Sequence, residues 1–175
     1  MPEPTSTRKL LVVDDESEIV EILKQILQPL NAYIHTASNG KEALAIILRE
    51  SIDAVISDIN MPQMDGIQLL VEIRCAGLAT PFVILTAFGD KQNILEALRL
   101  DATDFLEKPF KPEEVLRVMQ RALEIGIAMN DLDRNFSEQF KDSELSVDEL
   151  HRLKAMRKAI RALQIDAELL NKKSA

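Results

Sequence analysis

Five polar side chains could carry chemistry in this sequence, and each lies at or just beyond a short apolar run. Asp14 and Asp15 follow Leu-Leu-Val-Val, and Asp58 follows Ala-Val-Ile-Ser. Thr86 follows Phe-Val-Ile-Leu, and Lys108 comes just after a shorter run. If these runs are parallel strands, the polar residues meet outside the carboxyl ends of one sheet. Three carboxylates, a hydroxyl and an ammonium group would then share one surface.

Charge repulsion indicates what such a cluster would bind. Three carboxylates within a few ångströms repel one another, and one takes up a proton unless a cation intervenes. Oxygen ligands from Asp14, Asp15 and Asp58 suit Mg²⁺, which prefers carboxylates together with phosphate. One carboxylate would be the nucleophile that forms an aspartyl phosphate, while the metal and Lys108 hold the phosphoryl oxygens.

The elements that must position these residues can be read from the apolar pattern. Short apolar runs predict strands at residues 10–13, 54–57 and 82–85, and less regular patterns predict a weaker strand at residues 32–36 and a short one at residues 103–106. Helical spacing predicts helices at residues 17–27, 40–48, 67–73 and 90–100, and one that begins after residue 112. Ser17 and Asn39 are plausible N-caps. Five repeats of strand then helix predict a doubly wound α/β fold with a five-stranded parallel sheet.

The sequence closely resembles the response-regulator receiver family of two-component signalling. The resemblance covers roughly residues 8–125 and rests on four segments: VVDDE, SDINMPQMDG, ILTAFGD and DATDFLEKPF. All the characteristic positions are filled in order, each near a predicted strand end. The resemblance therefore implies a phospho-acceptor protein rather than an enzyme, apart from self-phosphorylation and slow autodephosphorylation.

The resemblance also implies a role for each residue. Asp58 is the phospho-acceptor, and Asp14, Asp15, Asp58 and the backbone carbonyl of Asn60 bind Mg²⁺. A histidine kinase or a histidine phosphotransfer protein donates the phosphoryl group. At the switch positions, the hydroxyl of Thr86 moves onto the phosphoryl group and the ring of Phe105 turns inward. The backbone N–H of Ala87 and the ammonium group of Lys108 bind the phosphoryl oxygens. The peptide bond from Lys108 to Pro109 is expected to be cis.

Three positions raise separate expectations. Asp101 stands where the family usually has glycine, and we expect a slightly strained left-handed turn there. Phe105 stands in place of tyrosine, so switching would work through ring packing without a phenolic hydrogen bond. Phe88, two residues after Thr86, could shield the aspartyl phosphate from water, or it could simply pack the loop.

Taken singly, the same residues have structural interpretations. Asp14 and Asp15 could cap the following helix, and Asp58 could begin a turn. Lys108 could be a surface charge, and Phe105 could be a core residue. Their joint arrangement favours the functional interpretation.

The remaining residues predict a helical extension. Apolar residues at alternating steps of three and four, the seam of a coiled coil, are Val115, Val118, Ala122, Ile125, Met129, Leu132 and Phe136. The last receiver helix is therefore predicted to continue to about residue 140 despite Gly126. A break follows at residues 142–143, and a capping box at residues 146–149 predicts a further helix. Its seam is Leu153, Met156, Ile160, Leu163, Ala167 and Leu170.

These features divide the chain into a receiver at residues 1–125 and a helical extension at residues 126–175, whose apolar stripes would pack as a hairpin, onto the receiver, or as a coiled coil across a dimer. Residues 147–175 hold seven basic and four acidic side chains. The basic cluster is Arg152, Lys154, Arg157, Lys158 and Arg161. It could be a solvated face, a docking surface for an acidic partner or, least favoured, a DNA contact.

The leading hypothesis is a response regulator that signals through protein contacts or homodimerisation of the C-terminal helices. One alternative is a receiver fragment or linker of a larger regulator with an enzymatic or DNA-binding output, although the polar end NKKSA favours a complete chain. Another is a Mg²⁺ phosphohydrolase, for which a general acid and a covering cap are not found in the sequence.

Composition narrows the remaining classes. The net charge of −8 argues against a broad nucleic-acid footprint. The sequence contains no run of about 18 apolar residues, the length that could span a membrane. The single cysteine, Cys75, excludes an internal disulfide, and with no export signal we expect a cytoplasmic protein.

Overall fold

The computed structural model describes residues 8–87 and 89–139, with side chains described up to residue 131. The chain divides into two compact units, residues 1–133 and residues 134–175. The sheet and the site lie in the first unit. Within the described residues, no helix is both long enough and apolar enough to cross a membrane.

Five parallel strands form one sheet in the described part of the chain, in the order β2-β1-β3-β4-β5. The strands are β1 (Lys9–Val13), β2 (Tyr33–Ala37), β3 (Ala54–Asp58), β4 (Phe82–Ala87) and β5 (Asp104–Lys108). The helices are α1 (Ser17–Leu27), α2 (Gly40–Arg49), α3 (Gly66–Cys75), α4 (Lys91–Arg99) and α5 (Pro112–Gln139), with a short 3₁₀ turn at Gln28–Leu30. The predicted doubly wound fold is confirmed.

The sheet is buried on both faces because its central strands alternate between two apolar layers. Leu11 and Val13 of β1 pack with α2, α3 and α4, whereas Leu10 and Val12 pack with α1 and α5. All five residues of β3 are buried. A strand buried on both faces needs a continuous apolar run, which is why these segments could be read from the sequence.

Local chemistry fixes the helix starts. The side chain of Asn39 accepts a hydrogen bond from the backbone N–H of Glu42, so the predicted cap of α2 is confirmed. Asp65 and Gln68 form a capping box that begins α3. The prediction that Ser17 caps α1 is wrong, because Glu16 is the N-cap and Ser17 is already helical. The Asp14 carboxylate instead accepts a bond from the Glu16 N–H and orders the entry to this helix.

Helix α5 confirms the predicted continuation as far as Gln139, but its apolar stripe has a different use. Val115, Val118 and Ala122 are buried against the sheet, in the same layer as Met119 and Leu123. The prediction that these first three positions begin a coiled-coil seam is therefore wrong, since the receiver core already covers them. The apolar spacing correctly predicted a helix with one apolar face, but it did not indicate whether that face packs on the sheet or on another helix.

Gly126 is required by a close approach between α5 and the turn before β3. A β-carbon at this position would overlap the carbonyl oxygen of Asp53. One turn later, the side-chain amide of Asn130 donates to the Asp53 carboxylate at 2.7 Å. The other oxygen of this buried carboxylate accepts a bond from the Lys9 N–H at 2.7 Å. Asp53 thus joins β1, β3 and α5.

Several predictions fall on residues whose structure is not described. These are the shielding role of Phe88 and, within residues 140–175, the break, the capping box, the second seam and the basic cluster. They stay predictions.

Two local expectations are confirmed, one in the turn before β5 and one directly after that strand. Asp101 adopts the left-handed conformation with φ 58°, and the peptide bond from Lys108 to Pro109 is cis. The half-buried guanidinium of Arg74 donates to the carbonyl oxygens of Leu100 and Asp101 at 3.2 and 2.9 Å. Burial lowers the pKa of Arg74, and the charge of Asp101 partly offsets that effect. The side chain of Arg74, near the end of α3, therefore stabilises the strained turn.

Replacing Asp101 with glycine should raise the free energy of unfolding by about 1 kcal/mol, because glycine adopts the left-handed conformation without steric cost. Urea unfolding measures the change. Asp101→Ala is the control, since it removes the same charge but keeps the β-carbon. An equal gain from the alanine variant would show that the carboxylate, and not the backbone, is unfavourable.

Candidate functional site

The ammonium group of Lys108 lies between two buried carboxylates at the carboxyl edge of the sheet. Its Nζ lies 2.6 Å from Oδ1 of Asp58 and 3.1 Å from Oδ2 of Asp14. The three residues come from β5, β3 and the end of β1, so Lys108 reaches past the end of β4. The predicted convergence of these strand ends is present. Asp14, the acid most removed from water, is 2% exposed.

Asp58 is held by hydrogen bonds at both carboxylate oxygens. The backbone N–H of Asn60 donates to Oδ2 at 2.7 Å, while Lys108 contacts Oδ1. Burial raises the pKa of Asp58 and the nearby charge of Asp14 adds to this, although the hydrogen bond and charge of Lys108 act in the opposite direction. Removing this carboxylate from water makes its charge costly, and the ammonium compensates only part of that cost.

The proton of Lys108 is secured by the same arrangement. Burial alone would lower the pKa of Lys108, but the hydrogen bond to Asp58 and the charges of Asp58 and Asp14 raise it above its usual value. The amine is therefore a permanent cation at neutral pH. The site holds two buried carboxylates and one ammonium, with the exposed Asp15 at its rim.

Thr86 and Phe105 lie on the same face of neighbouring strands. The register pairs Ile84 with Phe105 and Thr86 with Glu107, so Thr86 and Phe105 are diagonal neighbours. Thr86 is buried, and its hydroxyl makes a long 3.4 Å hydrogen bond to the carbonyl oxygen of Ala87. Phe105 is 36% exposed. A weakly bonded hydroxyl beside an exposed ring leaves both side chains open to rearrangement.

Comparison with known proteins identifies the family of this fold and site. The sequence model of the family described as the response regulator receiver domain matches residues 10–120. The chain belongs to this family.

Two curated relatives illustrate how the receiver occurs in longer proteins. The regulatory protein AtoC of Escherichia coli is 36% identical over 121 residues, which cover 69% of this chain and 26% of AtoC. The transcriptional regulatory protein SrrA of Staphylococcus aureus is 33% identical over 168 residues, or 94% of this chain and 69% of SrrA. The chain thus spans about a quarter of the first relative and about two thirds of the second.

Solved structures resemble the receiver equally clearly. The signal receiver domain of an HD domain-containing protein from Pseudomonas fluorescens superposes with a TM-score of 0.68 at 30% identity, covering 75% of this chain and 97% of that one. The chemotaxis response regulator CheY4 of Vibrio cholerae gives 0.62 at 35% identity, covering 67% and 100%. This chain is therefore similar to a two-component response regulator in sequence and in fold.

The three predicted metal-ligating carboxylates do not all converge on one point. Among the residues whose side chains are described, 8–87 and 89–131, no group of three acidic, histidine or cysteine side chains converges closely enough to hold a metal ion. Asp14 and Asp58 share Lys108 instead, and Asp15 is exposed. The donors are nonetheless all hard oxygens with an excess of negative charge, which fits Mg²⁺ better than a softer metal.

Gly66 positions the Asp58 peptide, and the sequence reasoning missed it. A β-carbon at residue 66 would overlap the carbonyl oxygen of Asp58 and would lie 3.0 Å from the Cα of Ile59. The Gly66 N–H also donates to the carbonyl oxygen of Ile59 at 2.9 Å. The loop after β3 thus folds back tightly onto its own start. The available signal was a glycine directly after the helix-capping Asp65.

Replacing Lys108 with methionine should lower the free energy of unfolding by about 2 kcal/mol, because it leaves Asp58 and Asp14 without their shared cation. Part of the contribution of the partly buried lysine is screened by water, which limits the loss. In Lys108→Met/Asp58→Asn, most of the lost stability should return. Urea unfolding of the four proteins in a double-mutant cycle, without divalent metal, measures the coupling. Additive effects would contradict the interaction.

Proposed function

We propose that Asp58 accepts a phosphoryl group and that the chain acts as the receiver of a two-component system. The observation that supports this most strongly is the sharing of Lys108 between Asp58 and Asp14 at the carboxyl edge of the sheet. A carboxylate oxygen of Asp58 forms a bond to phosphorus as the bond from phosphorus to the donor breaks. The donor's leaving group departs with the bonding electron pair, as neutral imidazole from a phosphohistidine protonated on its other ring nitrogen, or as acetate from acetyl phosphate.

The described side chains have defined tasks in this transfer. Asp58 supplies the nucleophile, and Lys108 exchanges its contact with Asp58 for a contact with a phosphoryl oxygen, which conserves its charge pairing. Asp14, Asp15, Asp58 and the backbone carbonyl of Asn60 would hold Mg²⁺. When bound, Mg²⁺ supplies the positive charge that lets a carboxylate and a phosphoryl group approach each other. The N–H of Ala87 and the hydroxyl of Thr86 would contact the phosphoryl oxygens.

The donor in the cell would be a histidine kinase or a histidine phosphotransfer protein. Phosphohistidine is a suitable donor because its bond to phosphorus breaks with a neutral imidazole as the leaving group. We place the chain among phospho-acceptors rather than among small-molecule phosphatases, and its site of action in the cytoplasm. Sustained turnover of phosphomonoesters by the purified protein would contradict that assignment.

With acetyl phosphate and Mg²⁺, the full chain should gain one phosphoryl group that is labile to hydroxylamine. Asp58→Asn should abolish the modification, since an amide is a poor nucleophile. Intact-mass spectrometry follows it. Asp104→Asn is the matched control, because it makes the same chemical change at the start of β5, the end of that strand away from Lys108 and the site. Equal modification of Asp58→Asn and wild type would refute the assignment of the acceptor.

We further propose that phosphorylation moves Thr86 towards the phosphoryl group and lets the ring of Phe105 turn inward. Phe105 is partly exposed, and Thr86 has only a long hydrogen bond, so little would oppose either movement. The change would reach the surface formed by α4, β5 and α5. We assign the output to the extension at residues 126–175, through a downstream protein partner or a homodimer.

Beryllofluoride with Mg²⁺, which imitates the phosphoryl group, should change amide hydrogen exchange in β5 and in residues 126–175. It should also change the molar mass in light scattering if the output is a dimer. Asp58→Asn treated in the same way is the control. Unchanged exchange beyond residue 125, together with an unchanged mass, would separate the extension from the switch.

A second candidate is that the chain is one part of a larger regulator with a further output domain. The similarity to SrrA, a transcriptional regulatory protein, covers 94% of this chain and so extends past the receiver region. The similarity to AtoC covers only 26% of that protein. A reading frame that continues beyond Ala175 into a further domain would support this candidate.

A further inference from the structure

The junction between β2 and α2, residues 37–40, contacts both loops that carry the buried carboxylates. The carbonyl oxygen of Ala37 accepts a hydrogen bond from the Asp14 N–H at 3.2 Å. Three residues later, the Gly40 N–H donates to the carbonyl oxygen of Met64 at 3.0 Å. Met64 lies in the loop that follows Asp58. A single short segment therefore links the end of β1 to the acceptor loop.

The junction is itself held firmly. Asn39 is buried, and its side chain accepts a hydrogen bond from the Glu42 N–H at 3.0 Å. In return, the Glu42 carboxylate accepts bonds from the N–H and the hydroxyl of Ser38, each at 3.0 Å. These reciprocal bonds fix the start of α2 relative to the end of β2. The hydrogen bonds from the junction to Asp14 and to Met64 are thus made by a segment whose own conformation is fixed.

Gly40 leaves no room for a side chain at its contact with the acceptor loop. A β-carbon there would lie 2.7 Å from the carbonyl oxygen of Met64 and 2.6 Å from its Cγ. The Cγ could rotate away, but the carbonyl oxygen could retreat only if the loop backbone moved. The loop is short and bonded to itself, from Met64 to Pro62 and from Gly66 to Ile59. A displacement at Met64 would therefore reach Asp58 and Asn60.

We infer that Gly40 is a positioning residue for phosphoryl transfer, and that the junction at residues 37–40 sets the placement of Asp58 relative to Asp14. The inference rests on the proposed function of Asp58. Gly40 contacts neither carboxylate and acts only through the loop backbone. Alanine would be the better helix former at this position, so the glycine serves the close approach to Met64.

The test compares Gly40→Ala with Gly77→Ala in the full chain. Gly77 has φ 77° with open space around it and follows α3 at the opposite edge of the sheet, so alanine there strains the backbone without touching the site. Gly40→Ala should accept phosphate from acetyl phosphate about tenfold more slowly than wild type, because a small misplacement of reacting groups is costly. Gly77→Ala should react at the wild-type rate. Circular dichroism confirms that each protein is folded at the assay temperature.

A second measurement needs neither metal nor phosphate. In the metal-free protein, Gly40→Ala should shift the backbone amide resonances of Asp58 and Asn60, whereas Gly77→Ala should leave them in place. Asn39→Ala, which loosens the junction without adding bulk, should shift the same resonances by less, and it serves as the test if Gly40→Ala does not fold.

The outcomes separate the two claims. Wild-type rates and unmoved resonances in the folded Gly40 variant would overturn the positioning role, as would an equal slowing in Gly77→Ala. If wild type itself accepts no phosphate, the proposed function fails, while the amide resonances still report whether the junction places Asp58.

Discussion

The fold of this receiver depends at its carboxyl edge on one cation shared by two buried anions. Asp58 and Asp14 would repel each other in an environment that water hardly reaches, and Lys108 makes their proximity tolerable. The balance is incomplete, since two carboxylates face one ammonium group and burial still raises the pKa of Asp58. The pair of carboxylates therefore carries more negative charge than Lys108 can neutralise. That remaining charge is a physical reason for the site to take up a cation, and it links the stability of the fold to its chemistry.

The sequence predicted the parts of this arrangement that depend on local patterns of apolar and polar residues. Strands buried on both faces appear as continuous apolar runs, so the ends that carry Asp14 and Asp58 could be located within a few residues. Their meeting followed from the rule that parallel strands end at one edge. The resemblance to the receiver family supplied their roles, which stay proposals.

Other features depend on contacts between distant segments and left little local trace. Nothing near Gly40 indicates that the backbone of another loop lies against it, and the glycine after Asp65 is only a weak signal for the tight loop at Gly66, because glycine is also common in ordinary turns. The stripe on α5 was read as a seam between helices, yet Val115 and Val118 cover the receiver's own sheet. A single sequence shows that a helix face is apolar but not what it packs against.

The contact of α5 with Asp53 has a practical consequence for where the receiver can be cut. The family match ends at residue 120, but Gly126 and Asn130 both meet Asp53 beyond that point. A protein shortened to the matched region would lose the amide that satisfies one oxygen of this buried carboxylate. A cut beyond Asn130, about three helical turns past the end of the family match, would keep both contacts.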